Sequence, residues 1–540
     1  MSSRHRQRPL ARVASGLVTP LVALTLVSAC SGGGTHRAAP TSSAAVPSSA
    51  AGSASTTSVG AGSPSAGGAA GGSDATTTTT TTKAKTNAVG VAGARTIGDE
   101  LFPALGNGGY DVTHYDLALD WRQSPAQLVA VATIDATASS ALSAFSFDFT
   151  GLVLDAVTVD GVAAEAHFVD EKLAITPAEA VAKGATFTTV VRYHGDPGLT
   201  HGGSRIRTGW FTVPDGAYTL DEPDGAHHWF PADDHPLDKA TFTFHVTVDA
   251  GVNIVTNGHE TGRSAQGGRL TITSSATEPM ATYLAVVAIG PYTVTTGAGP
   301  HGTTLREVVP AGGSLPAGSL LPTISSQLAF YEQSFGPLPF DTYGVLLSPS
   351  QAGIALETQT LSTFSAADFP GPPNNDPSDP AVQLSQEMLA HELAHQWFGD
   401  AVSPAHWRDI WLSEGFATYA QWMWASQDDP TVLEERAQAA RSHSAAVRAQ
   451  YGATDDPAAV TLFSPSVYDL GAMVLHALRG DVGDDVFFRT LQHWVQAHRF
   501  ATATTDDFIA LATKEAGHDV GPLLHLWLSS TDPLPAFPGG

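Results

Sequence analysis

Cysteine occurs once in 540 residues, at position 30. No intrachain disulfide can form, so the fold must rest on ordinary cores and on any metal it binds. Basic residues are scarce as well: 26 Lys and Arg stand against 52 Asp and Glu, a net charge of −26. No clustered Lys or Arg face is available to neutralise phosphates, which argues against nucleic acid as a partner. Large apolar side chains are almost missing between Ser31 and about Ala94, a Ser, Thr, Ala, Gly and Pro tract with a threonine run from Thr76 to Thr82. Such a composition cannot bury enough surface to fold. An apolar run of membrane-spanning length is also absent near the start, because the stretch from Val13 to Val27 is short and interrupted by Gly16 and Pro20. No internal repeat is visible.

What precedes that stretch gives it a meaning. Arg4, Arg6, Arg8 and Arg12 form a positive region ahead of it, the pattern of an export signal. Cys30 follows Val27, Ser28 and Ala29 and resembles the lipobox of bacterial lipoproteins, which implies a lipidated cysteine as the mature N-terminus. Residues 1–29 then read as a signal peptide and 30–95 as a disordered tether with a reach of roughly 45 Å. The expected location is extracytoplasmic, anchored to the bacterial cell membrane through the lipid on Cys30, with the net acidity favouring solubility and mildly attracting cationic substrates.

Two periodicities divide the rest. Between about residues 96 and 300, short segments such as HYDLALD from His114, LVAVATIDAT from Leu128, TFTTVVRYH from Thr186, TFTFHVTVD from Thr241 and TYLAVVAIG from Thr282 alternate with period two between Gly, Pro and Asp turns. This pattern predicts an all-β, antiparallel domain. From about residue 301 the period lengthens, predicting helices over 320–335, 381–398, 413–425, 431–451, 466–479, 485–499, 505–515 and 521–529, with one strand from Thr342. The fold class is therefore α+β and multidomain.

Residues His391 to His395 read HELAH, and Glu414 follows after eighteen residues. Positions i and i+4 of a helix share a face, so His391 and His395 can direct two imidazole nitrogens at one metal ion. A third ligand from Glu414 would complete the His2Glu set of a catalytic zinc site, leaving one position for water. Glu392 is placed to take a proton from that metal-activated water and pass it to a leaving amine. Ser413, just before Glu414, is expected to cap the helix that follows.

HELAHQWFGD together with WRDIWLSEGFATY, including Trp397, Phe398 and Trp411, resembles the gluzincin zinc aminopeptidases of the aminopeptidase N type. WFPADDHPLDKATF from Trp229 and VYDLGAMVLHALR around Tyr468 match that family in order. The resemblance implies an N-terminal β-sandwich or saddle domain before a thermolysin-like, mostly helical catalytic domain with one Zn2+, acting on peptides or proteins with a free N-terminus. It assigns Tyr468 to the oxyanion, and Glu357 and Glu222 to the substrate's α-ammonium group, with Ala355 also at the substrate. The chain departs from the family around these acids, with Ile354, Leu356 and Thr358 near Glu357, Leu220 before Glu222, and Ser413 before Glu414. It also has about 70 residues after Tyr468, which reads as a short form without the family's C-terminal helical domain and with an open cleft.

Two rival functions fit parts of the same pattern. An endopeptidase could use the same zinc site through the open cleft, and a non-catalytic envelope-binding lipoprotein could keep the fold alone. Elsewhere the residues take plainer readings: His227, His228 and His235 have no zinc-site spacing, and Trp422 to Trp424 read as helix packing.

Overall fold

The alternation seen in sequence becomes a twisted eight-stranded sheet. Along Tyr110–Gln123 the side chains of Tyr115, Leu117, Leu119 and Trp121 are buried while their neighbours are partly exposed, as a half-covered strand requires. The sheet runs His259–Gln266, Arg269–Ala281, Lys239–Asp249, Tyr110–Gln123, Ala126–Ala138, Thr186–Gly195, Val153–Val159, Val162–Ala163. The computed structural model describes residues 90–201, 207–312, 318–350, 353–369 and 379–539. The expected signal peptide, Cys30 and the tether as far as residue 89 lie outside these residues.

One pairing departs from the expected antiparallel order. Lys239–Asp249 lies parallel to Tyr110–Gln123, because more than a hundred residues of crossover separate the two strands and a tight hairpin is not required. A second parallel contact joins Val91–Ala92, inside the segment read as tether, to Leu142–Asp148.

Two five-stranded sheets position the site. The first is ordered Leu199–His201, Arg207–Val213, Gly216–Leu220, Val287–Gly290, Asn253–Thr256, and the second Tyr292–Ala298, Thr304–Pro310, Thr342–Ser348, Ser362–Ser365, Ala355–Leu356. Tyr218, Leu220, Val286 and Ala288 from the first region and Val308, Leu346, Leu356 and Leu361 from the second share one buried apolar cluster. Glu222 and Glu357 therefore emerge just past two strand ends that are packed together. Residue 300 falls in the hairpin between Tyr292–Ala298 and Thr304–Pro310, which are paired. Part of the segment from Thr282 read as strand is a short 3-10 turn, Thr282–Leu284, before Val287–Gly290.

Eight helices follow among the described residues: α1 (Leu321–Phe335), α2 (Pro380–Ala394), α3 (Trp411–Ala425), α4 (Thr431–Tyr451), α5 (Asp469–Val482), α6 (Asp484–His498), α7 (Thr505–Ala516) and α8 (Gly521–Ser529). Helix α3 is buried at every position from Trp411 to Met423, as expected of a sequence apolar on all sides. It meets α5 through Gly415 and Gly471, where a Cβ on either glycine would lie 2.8 Å from the other's Cα. This close approach sets Glu414 on α3 beside Tyr468 at the start of α5.

Two helix boundaries correct the sequence reading. Helix α2 stops at Ala394 rather than Phe398, with His395 as its C-cap. The chain folds back there: Asp400 N donates to His395 O at 2.9 Å, and Gly399 takes φ +129, a conformation outside the helix. Helix α3 begins at Trp411, so Ser413 lies inside it and does not cap it.

Candidate active site

The end of α2 and the first turn of α3 bring three donors together. His391, His395 and Glu414 are buried and their ligand atoms all lie within 4.8 Å of one another. Glu414 Oε2 is 3.2 Å from His391 Nε2 and 3.4 Å from His395 Nε2. Ligands held about 2.0–2.1 Å from a tetrahedral zinc ion stand about 3.4 Å apart, so these spacings and the N, N, O donor set fit that metal.

The tautomer of His395 is set from behind. Its Nδ1 lies 3.0 Å from Phe398 O and 3.0 Å from Ser413 Oγ, and Ser413 Oγ itself donates to Phe398 O at 3.2 Å. A proton held at Nδ1 leaves the Nε2 lone pair directed at the other donors. Ser413 thus supports the ligand rather than capping α3. Gly399 is confined as well, since a Cβ there would sit 2.5 Å from Ser413 Oγ and 3.2 Å from His395 Nδ1.

Around the triad the sequence-assigned residues converge. Tyr468 OH donates to Glu414 Oε1 at 2.9 Å, and its ring lies 5.8 Å from the His391 ring at 11°. Glu392 and Glu357 approach His395 closely enough to form a second group of three within 4.8 Å. Glu222 and Glu357 each keep one buried oxygen, Oε1, without a hydrogen-bond partner among the described residues. Ala355 pairs with Phe364 in the edge strand of the second five-stranded sheet, and among the described residues no strand pairs with its other side.

The charge balance is uneven. Burial and neighbouring acids push the carboxyls of Glu222 and Glu392 well above the ordinary range, and burial pushes Glu357 up to about 7. Burial opposes the charge on Glu414 too, yet His395 and the bonds from both histidines hold it down to about 2. On His395 burial is outweighed by Glu357 and Glu414, which push it up to about 10, while burial lowers His391. The acids outnumber the positive groups facing them, so the site is suited to receive cations.

Several residues of the site were not singled out in the sequence. Gln396 ties the Glu357 loop to α2, its Nε2 donating to Glu357 O at 3.2 Å and its Oε1 accepting from Thr360 N at 2.9 Å. Asn257 holds the same loop from the β side, donating to Gln359 O at 2.8 Å and to Leu284 O at 2.9 Å. Tyr283 presents a buried hydroxyl without a partner among the described residues, and burial, together with nearby Glu357 and Glu222, raises its pKa. Gln396 follows the second histidine directly, a position that could have flagged it. The other two lie far away in sequence and carried no local signal.

Family models match both parts of the chain: the peptidase family M1 domain over residues 321–527 and the peptidase M1 N-terminal domain over residues 112–284. The crystal structure of an M1 zinc metallopeptidase from Deinococcus radiodurans superposes with a TM-score of 0.73 at 31% identity, covering 82% of this chain and 99% of that one. The chain belongs to peptidase family M1. A two-domain M1 zinc metallopeptidase bound to L-arginine is similar at 30% identity and a TM-score of 0.72, over 82% of this chain and 100% of that one. Leucyl aminopeptidase of Saccharolobus solfataricus is 28% identical over 59% of this chain but only 41% of its own length. Aminopeptidase 2 of Candida albicans is 27% identical over 58% of this chain and 35% of its own length. The chain thus matches about a third to two-fifths of the length of these curated relatives.

Within family M1 the departures around Glu357 have a local account. Leu356 joins the apolar cluster between the two five-stranded sheets, with Ile354 packed at its margin. The Thr358 hydroxyl donates to the carbonyl of Leu361 and pairs with Thr363 Oγ1 at 3.1 Å. The loop is closed by its own bonds, and the Glu357 carboxyl still reaches the buried site. His227 and His235, which showed no zinc-site spacing, pair with Asp234 at 2.6 Å and Asp99 at 3.1 Å.

Proposed function

We propose that this chain is a zinc-dependent aminopeptidase that removes N-terminal residues from peptides. The observation that carries this reading is the pair of buried, unpartnered oxygens on Glu222 and Glu357 beside the His391, His395 and Glu414 donors. An uncompensated buried carboxylate is costly, and two of them facing one space call for a cationic group with several N–H donors. A peptide's α-ammonium is such a group.

The residues divide the work as follows. His391, His395 and Glu414 would hold zinc, which when bound lowers the pKa of a water and polarises the scissile carbonyl. Glu222 and Glu357 anchor the ammonium and so fix how far into the cleft the first peptide bond reaches. The open side of Ala355–Leu356 offers main-chain groups along which an extended peptide can add as a strand. Glu392 takes the proton of the attacking water and delivers it to the leaving amine. Tyr468, kept neutral because burial and Glu414 raise its pKa, turns its hydroxyl from Glu414 to the developing oxyanion.

The test is a comparison of one chromogenic aminoacyl amide with its N-acetyl form. Rapid cleavage of the first and little of the second supports the assignment. Equal rates would replace it with an endopeptidase on the same donors. Loss of activity on chelation, restored by Zn2+, is required by either.

The location is proposed on sequence grounds. Cys30 directly after Val27, Ser28 and Ala29 supports lipid attachment at an extracytoplasmic membrane face. Detergent-phase partitioning of the whole chain, abolished by Cys30→Ala, is the expected result, and partitioning unchanged by that substitution would contradict it.

A further inference from the structure

Lys239 opens the strand Lys239–Asp249 in the β-rich part, yet its half-buried ammonium donates to two carbonyls of the helical part, Asp400 O at 2.7 Å and Ala401 O at 3.4 Å. Those carbonyls belong to the turn that leaves α2 and holds His395. Within it, Phe398 O takes the bond from His395 Nδ1 at 3.0 Å, Asp400 N donates to His395 O at 2.9 Å, and Ser403 Oγ donates to Gly399 O at 2.6 Å. Phe500 N donates to Ala401 O at 2.6 Å from the far side. Among the described hydrogen bonds to the turn, Lys239 alone comes from the β-rich part. The Asp400 carboxyl is fully buried with both oxygens unpartnered among the described residues; burial raises its pKa, and the Lys239 ammonium facing it opposes that shift.

The turn has little freedom. Gly399 has no space for even a Cβ against Ser413 Oγ and His395 Nδ1, so a small displacement of the turn carries Phe398 O away from the imidazole it orients. Removing Lys239 would leave Ala401 O with only Phe500 N and Asp400 O with only Ser403 Oγ at 3.5 Å, and would take away the ammonium facing the Asp400 carboxyl, so that no described hydrogen bond ties the turn to the β-rich part.

We infer that Lys239 is a positioning residue for the metal site: by gripping the 398–402 turn from the β-rich part it fixes the His395 ring, so that metal affinity depends on the docking of the two parts. This inference rests on the three metal donors but not on the choice of substrate.

The test is a Zn2+ titration of the metal-free full chain against a competing chelator. Lys239→Met should weaken zinc binding about 10- to 100-fold, the usual effect of losing an outer partner of a ligand. Lys239→Arg, which keeps charged donors at the same place, should recover it to within about threefold of the unsubstituted chain by the same reasoning. Lys172→Met serves as control, because Lys172 bonds Asp148 and Gly106 O inside the β-rich part, away from the turn; it should lower Tm and leave the zinc affinity of the folded protein unchanged. Unaltered zinc binding in Lys239→Met overturns the inference, and so does equal weakening in Lys172→Met. Should Lys239→Met fail to fold, Lys239→Gln replaces it, with at least about threefold weakening expected on the same ground and unaltered affinity overturning the role. Failure of the unsubstituted chain to bind Zn2+ overturns the donor site itself and this role with it, a result distinct from a failure confined to Lys239.

Discussion

Asp148, Asp234 and Asp99 in the β-rich part are surrounded by their own partners, whereas Glu222 and Glu357, which meet beside the metal donors, each leave a buried oxygen unbonded among the described residues. Asp148 receives Lys172, Asn107 Nδ2 at 2.7 Å and two backbone N–H groups. Asp234 receives His227 Nδ1 and Thr282 Oγ1, each at 2.6 Å. Asp99 receives His235 at 3.1 Å, Leu101 N and Phe102 N at 2.9 Å, and Trp407 N at 3.2 Å. Around the metal donors, by contrast, Glu222 Oε1, Glu357 Oε1 and both oxygens of Asp400 are buried with no hydrogen bond. On the β side, Asp221 Oδ1 and Asp238 Oδ1 share that condition. Buried acids with a structural task carry their counter-charges within the chain. Glu222 and Glu357 lack such counter-charges beside the metal donors, where the proposed peptide ammonium would supply them.

That contrast is open to attack from both sides. The largest effect is expected at Glu392: Glu392→Gln should retain zinc, measured by metal analysis, and lose about 10²- to 10⁴-fold in kcat, the range of a positioned base. Nearly full activity would remove Glu392 from the chemistry. On the structural side, Lys172→Met strands the buried Asp148 and should cost about 3–5 kcal/mol in a denaturant melt, with kcat per folded molecule unchanged. A fall in kcat of the folded fraction would mean that the two acid groups are not separate.

Smaller effects sharpen the picture. Glu222→Gln and Glu357→Gln each remove a charge from the amine site and should each reduce kcat/KM on a free aminoacyl amide by about 10- to 100-fold, the equivalent of about 1.5–3 kcal/mol for a charged hydrogen bond. Activity on the N-acetyl form should move far less, so the ratio of the two substrates is the informative reading. The smallest change is expected at Asp99. Burial opposes its charge, but His235 and two backbone N–H groups hold its pKa well below the usual value. A depressed carboxylate stabilises the fold fully above its unfolded pKa of about 3.9, and that contribution is lost as pH falls toward the folded value. Asp99→Asn should therefore lower Tm at pH 7 and flatten its decline below about pH 5; an acid limb as steep as before would contradict the ion pair.

Much of this was legible in the sequence where the cause is local. The eight helices follow a period set by neighbouring residues, and the HELAH and Glu414 spacing depends only on helix geometry and ligand chemistry. What escaped depends on contacts across long separations. Nothing near Lys239 announces that it reaches Asp400, nor does the sequence near Asn257 show that it holds the Glu357 loop. The Gly415 and Gly471 contact joins α3 to α5 and sets the Tyr468 to Glu414 distance, but each glycine alone reads as a helix defect. Helix α2 was read too long because His395 lies on its last turn, where the reversal at Gly399 overrides a pattern that would otherwise continue.

The central claim is that the unpaired acids beside the metal donors receive a peptide's N-terminus. Its most direct measurement is a crystal structure of the zinc-loaded Glu392→Gln protein with a bound tripeptide. The peptide's ammonium is expected within hydrogen-bond distance, about 2.7–3.2 Å, of both Glu222 Oε1 and Glu357 Oε1, with the first peptide bond over the metal. A peptide that runs through the cleft with its N-terminus elsewhere and those two oxygens still unpartnered would contradict it.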